Sequence, residues 1–327
     1  MQLVTFGETM VQYNAKYNGP CDPDGKHLLD VAGAESNVAL NMVKLGVPGI
    51  ETTWVSRLGD DEAGRIVLSR LDAITRIEAC IGPGERTGIS YLNHYEDGQS
   101  IKTYKRAGSA ASKLTFDDVA PHLGSASLLH VTGITPSLSI SCKDAIFRSL
   151  KRCQQLGIHV SFDANYREQL WSPSEARSTF DAMREYVTLF KVGRDEAEAV
   201  WGLGLNAADY AKKLHGLGDK ITIVTDGALG ATLYDGNITV SISGLGLKAV
   251  DPIGAGDAFV AGFLGGLSER TNFSEFFHLE TDERKQLLWH ALRVANTCGA
   301  LVTTRRGDTQ AMPNMDEVRK LWIQTNK

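Results

Sequence analysis

One segment carries residues whose types and spacing could do chemistry unaided: Asp251-Pro252-Ile253-Gly254-Ala255-Gly256-Asp257-Ala258-Phe259. It passes from an apolar strand end through a glycine-rich turn into AFVAGFLGGL, a run with helical character. Glycines let a backbone approach a ligand closely. The unpaired amides at such a helix start, reinforced by the helix dipole, favour a phosphate. A carboxylate beside them, Asp257, could take the proton of an attacking hydroxyl, so the segment has the parts for phosphoryl transfer. The same residues also admit a plainer account, in which Asp257 is an acidic residue in a helix's first turn. Other phosphate cradles are poorly matched. No G-x-x-x-x-G-K-[ST] occurs, and Gly244-x-Gly246-x-x-Ala249 precedes a strand end rather than opening a helix.

The elements that must position this turn read as alternating strands and helices. Strand-like runs at QLVTF, TTWVS, SLLHVTG, GIHVSFD, TLFKVG and TIVTDG are separated by helical patterns such as 138–156, 206–217 and 281–302. That alternation predicts an α/β fold with a mainly parallel sheet covered by helices. Ile140, Ala145, Ile146, Leu150 and Cys153 recur at three- and four-residue spacing and predict one apolar stripe against the sheet. Two stretches break the rhythm. Residues 11–32 are rich in Tyr, Asn, Pro, Gly and Asp, and 86–107 alternate as two strands around Glu96-Asp97-Gly98-Gln99, a hairpin pattern. Both flank the first helix–strand unit, so together they predict a small β-sheet projecting from the main body.

Composition bounds the partners. The 327 residues are 43% hydrophobic and 22% charged, with a formal net charge of −5, which suits a globular chain burying a large core. Scattered Lys and Arg make no basic stripe, so nucleic acid is not an expected partner. The amino terminus opens on a strand-like run without a secretory pattern, and the most apolar long window, 249–267, carries Asp251 and Asp257. A cytoplasmic protein without a membrane span is the expectation. Five cysteines without a Cys-x-x-Cys pair read as reduced packing residues, and the dispersed histidines predict no transition-metal site.

Two motifs together resemble the carbohydrate kinases of the ribokinase (PfkB) type, over nearly the whole chain. The first is Gly33-Ala34-Glu35-Ser36-Asn37-Val38-Ala39 followed by Leu45-Gly46; the second is DPIGAGDAFVAG, residues 251–262. The resemblance implies a single three-layer α/β/α domain over 1–327 with a β lid formed by about 11–32 and 86–107, through which such kinases pair as homodimers. It implies that Asp257 is the general base and that the amides of Gly254, Ala255 and Gly256 form an anion hole for the γ-phosphoryl of ATP. Mg2+ is implied as well, with Glu196 organising it through water, and a monovalent cation is left open. Two positions depart from the family pattern. Pro252 stands where Thr is usual, removing a backbone donor, and Gly193 replaces the Asn of Asn-x-x-Glu.

Within the family, GAESNVA, TYKRAGSAASKL at 103–114 and DANYREQLW at 163–171 look most like 2-keto-3-deoxygluconate kinases. A sugar acid needs cationic recognition, to which a bidentate Arg is suited. On this resemblance Gly33 and Asn37 touch substrate hydroxyls, Tyr91 and Tyr104 wall the pocket, Arg106 and Arg167 hold the carboxylate, and Asp308 closes the site. Thr225, Asp226, Gly227 and Gly230, in ITIVTDGALGATLY, line the ATP site, with Asn165 near the phosphates and Asn296 near the adenine. Two other readings stay open: a family kinase for fructose, a nucleoside or a related keto sugar, and a binding or regulatory protein that has lost turnover.

Overall fold

The computed structural model describes residues 1–325 apart from 23, 97–98 and 306–309. Its strands are β1 (Gln2–Phe6), β2 (Met10–Asn18), β3 (His27–Ala32), β4 (Glu51–Gly59), β5 (Arg76–Gly82), β6 (Ile89–His94), β7 (Ser100–Lys105), β8 (Leu128–Thr132), β9 (His159–Asp163), β10 (Leu189–Gly193), β11 (Ile221–Thr225), β12 (Gly230–Tyr234) and β13 (Thr239–Ser243). Nine of them form one sheet in the order β13-β12-β11-β10-β9-β8-β1-β4-β5. Pairing is parallel from β5 through β11, and β12 and β13 add antiparallel at one edge. A parallel centre demands cover on both faces, which explains the near-continuous apolar runs of QLVTF and SLLHVTG.

Helices supply that cover as two further layers. The elements are α1 (Ala34–Leu45), α2 (Glu62–Arg70), α3 (Phe116–Leu123), α4 (Thr135–Leu138), α5 (Ile140–Leu156), α6 (Pro173–Arg184), α7 (Arg194–Trp201), α8 (Ala207–Leu214), α9 (Ala255–Ser268), α10 (Phe273–Phe276), α11 (Thr281–Thr303) and α12 (Met315–Thr325). One core layer joins α1, α9 and α11 to the sheet through Met42, Leu45, Phe263 and Leu292; the other joins α3, α5, α6 and α8 through Leu123, Ile146, Phe180 and Tyr210. The three-layer α/β/α architecture is thus as expected. Helix α9 is buried along almost its whole length, so its first turn is held rigidly above the carboxyl ends of the parallel strands. Ligands in open α/β sheets bind at such ends.

The other four strands make a separate sheet, β3-β2-β6-β7. Its Val11 and Val31 face a third core layer with Val67 of α2 and Leu71, the residue that caps that helix. Two details differ from the expected pattern. The helix anticipated over 138–156 is broken at Ser139, which is extended and accepts the amide of Cys142 as the cap of α5. Ile140, at that helix's first position, is 90% exposed and leaves the apolar stripe, while Ala145, Ile146, Leu150 and Cys153 stay in it. Cys142, Cys153 and Cys298 are packed inside, but Cys21 and Cys80 are exposed. Among the described residues, no helix is long and apolar enough to cross a membrane.

Candidate active site

A cavity of about 630 Å3 opens between the first turn of α9, the start of α1 and the second sheet. Gly254 precedes α9 with φ 77°, a left-handed conformation that glycine adopts without cost. The reversal brings Gly254, Gly256 and Asp257 to the cavity wall. Ala255 is different: its amide turns back to the Pro252 carbonyl at 3.4 Å, closing the turn instead of facing the cavity. Asp251 supports the same turn by accepting the Ile253 amide at 3.1 Å.

Asp257 is nearly buried, and its Oδ2 accepts a hydrogen bond from Nδ2 of Asn37 at 2.7 Å. Asn37 sits on the first turn of α1, which Gly33 immediately precedes as its cap. Gly33 is required by space, because a Cβ there would lie 2.5 Å from the Glu8 carbonyl and 2.6 Å from Thr9 Oγ1. Asn37 therefore does more than line the cavity, since it also fixes the Asp257 carboxylate; its own Oδ1 is buried without a partner.

Charge is concentrated along the wall. Lys102, Arg106, Arg167 and Lys191 line the cavity together with Glu8, Glu196 and Asp257. Arg106 is already engaged, its Nε and Nη2 converging on Glu8 Oε2 at 2.7 and 2.5 Å, while Ser109 donates to Oε1 at 2.5 Å. Its guanidinium also lies 5.3 Å from the ring of Tyr104, which shares the wall. Arg167 approaches Glu196 Oε1 at 3.5 Å from a half-exposed position. Glu196 Oε2 accepts the Gly193 amide at 2.8 Å, so the residue caps α7 while also lining the cavity. Burial raises its pKa above the usual carboxylate range, against the pull of Lys191.

Asn165 combines two signals of a functional position. It has φ 40°, the one positive φ at a non-glycine position among the described residues, and its Oδ1 is buried without a partner at the cavity wall. The remaining expected nucleotide residues divide. Thr225 lines this cavity, whereas Asp226 and Gly230 border a separate depression of about 320 Å3 beside Ser243. Asp226 accepts from Arg194 Nε at 2.8 Å, Gly227 lies in the intervening turn, and Asn296 donates to the Ser243 carbonyl at 3.0 Å. Tyr91 does not line the cavity. It projects from the opposite face of β6 and stacks on Tyr13 with ring centroids 5.3 Å apart, because its register partner across the pair is Tyr13 itself. Asp308 lies outside the described residues.

Sequence reading missed Glu8, Lys102, Lys191 and Asp163. The signal for Lys191 was present, since a cation in the middle of TLFKVG contradicts an otherwise apolar parallel strand. Among the described residues, no group of three His, Cys, Asp or Glu side chains could hold a metal ion.

A three-layer fold with a carboxylate at the glycine turn of a buried helix, facing a cavity lined by several charged side chains, defines a small-molecule phosphotransferase of the ribokinase-like class. The chain belongs to the pfkB family of carbohydrate kinases, whose family model matches residues 1–315. It is 28% identical to the 2-dehydro-3-deoxygluconokinase of Bacillus subtilis strain 168, over 97% of this chain and 94% of that one. It is also 28% identical to fructokinase-1 of Zea mays, over 98% and 97%. The crystal structure of the Vibrio cholerae O395 fructokinase, in its fructose-, ADP- and calcium-bound form, superposes with a TM-score of 0.81 at 26% identity, covering 98% of both chains.

Proposed function

We propose that the chain transfers the γ-phosphoryl of ATP to the 6-hydroxyl of 2-keto-3-deoxygluconate. The observation that carries this reading is the Asp257 carboxylate, held by Asn37 at the glycine turn of α9, in one cavity with the cations Lys102, Arg106 and Arg167. In this reading the sugar lies against Gly33, Asn37 and Tyr104, and the second sheet acts as a lid over it. Arg167 and Arg106 receive the carboxylate. Asp257 takes the hydroxyl proton while the oxygen attacks phosphorus, and the bond to the β-phosphate oxygen breaks to release ADP.

The residues present fit the nucleotide and its metal. Gly254 and Gly256 line the cavity wall at the start of α9, where helix-start amides favour a phosphate, and the unpartnered Asn165 Oδ1 on the same wall can accept from metal-bound water. The triphosphate would enter from Thr225, with the adenine toward Asp226, Gly227, Gly230 and Asn296. Glu196 would hold Mg2+ through water, where the ion supplies neutralising charge to the phosphates. Mg2+ binding on this account weakens as pH falls sooner than at an ordinary glutamate, because burial favours the protonated form of Glu196. The lid face away from the cavity, with Tyr13, Tyr91 and the exposed Ile101, would pair two copies; sedimentation of an Ile101→Glu variant tests it.

One observation favours a second reading, phosphorylation of a neutral keto sugar such as fructose. Arg106 is neutralised by buried Glu8 before any substrate arrives, which leaves less positive charge for a carboxylate. The deciding experiment measures ADP release with Mg-ATP and 2-keto-3-deoxygluconate, 2-keto-3-deoxygalactonate, fructose, ribose or adenosine, each with and without K+. Preference for the acids supports the first reading, and preference for fructose supports the second. No turnover on any acceptor would refute both.

A further inference from the structure

Lys191 is a buried charge that the scheme above leaves unused. It lies in the middle of β10, where Phe190 and Val192 on either side turn into the core, and it pairs in parallel register with Asp163 of β9. Both carboxylate oxygens of Asp163 accept from its Nζ at 3.1 Å, and the two side chains are 8% and 2% exposed. The ammonium is not sealed inside that pair, because it also lines the cavity. A Cβ built on Gly256 would come within 3.3 Å of Nζ, so the cation sits against the first turn of α9. A buried ion pair adds little stability over an apolar pair of similar volume. A fixed cation beside an anion-binding turn, by contrast, has a direct chemical use.

We propose that Lys191 is a catalytic residue whose ammonium stabilises the negative charge of the phosphoryl group in flight. The proposal rests on the reading of Asp257 and its turn given above. As the sugar oxygen–phosphorus bond forms and the bridging bond to ADP breaks, the hydroxyl proton passes to Asp257. The bond's electron pair leaves on the ADP β-phosphate oxygen, and Lys191 keeps its proton throughout. Burial alone would draw its pKa down, but the carboxylates of Asp163, Glu196 and Asp257 more than offset that and hold it above the ordinary lysine value. Asp163 is a positioning residue, since it reaches the phosphoryl group only through the Nζ that it holds.

The test compares Lys191→Met, the double variant Lys191→Met/Asp163→Asn and, separately, Asp257→Asn, each by steady-state kinetics on the preferred sugar and by thermal melting. Lys191→Met leaves a buried carboxylate unpaired and lowers Tm, whereas the double variant removes both charges and regains it. Both are expected to lose about 100-fold or more in kcat, with the sugar KM within about 3-fold of the parent. A double variant that regains kcat to within about 5-fold along with its stability would overturn the proposal, because Lys191 would then serve only to neutralise Asp163. If Lys191→Met does not fold, the double variant carries the comparison. An active Asp257→Asn enzyme would remove the base while leaving the Lys191 result standing, so the two failures are distinguishable.

Discussion

Replacing Asn37 by Leu removes the donor that holds Asp257 while keeping nearly the same volume in the first turn of α1. The bond in question is 2.7 Å long, buried, and made to a carboxylate. Hydrogen bonds to charged groups contribute about 1.5–3 kcal/mol. Losing the bond should therefore raise the carboxylate's pKa and weaken the hold on its ionised form by a similar amount. The sign follows from which form is stabilised: Asn37 donates, which favours the ionised carboxylate, and its loss makes proton uptake easier. The acid limb of kcat/KM should therefore move to higher pH, and activity should disappear earlier as pH falls. Direct quantification of ADP from about pH 5 to about pH 9 measures that limb in the free enzyme. A limb that stays in place while KM rises would refute the reasoning and leave Asn37 as a substrate ligand alone.

Arg167→Ala removes a half-exposed guanidinium from the cavity. It should raise KM for the sugar acid by about 10- to 100-fold while leaving KM for fructose nearly unchanged; an equal effect on both would take Arg167 out of the carboxylate site. His130 tests acid stability. Burial, then the charge of Lys191, lower its pKa from 6.5 to about 3, so the unfolded chain takes up a proton that the native protein refuses. Stability should fall with pH by about 1.4 kcal/mol per unit from about pH 6.5 toward about pH 3, and His130→Gln should flatten the slope by one proton. Identical slopes of denaturant-derived stability in parent and variant would show that His130 does not carry it.

The chemical turn and the class of fold were legible in the sequence because both are local signals. DPIGAGD joins a strand end to a helix start within a few residues, and apolar runs spaced by helical periodicity state which elements face a core. The same locality explains the errors. Ile140 fits the stripe by spacing, yet Ser139 caps the helix just before it, and a first-turn residue there faces solvent. Tyr91 and Tyr104 both alternate correctly along their strands, but which face meets the cavity depends on register.

What only the tertiary structure decided is who stands beside whom. Asn37 meets Asp257 across 220 positions, Arg106 meets Glu8 across 98 and Lys191 meets Asp163 across 28. Each contact depends on how helices seat on the sheet and on which strands are neighbours, and no local propensity encodes that. Residue types named the reacting group; packing selected the partners that hold it, neutralise it or share its charge, because Coulomb and hydrogen-bond energies depend on distances that the fold alone sets.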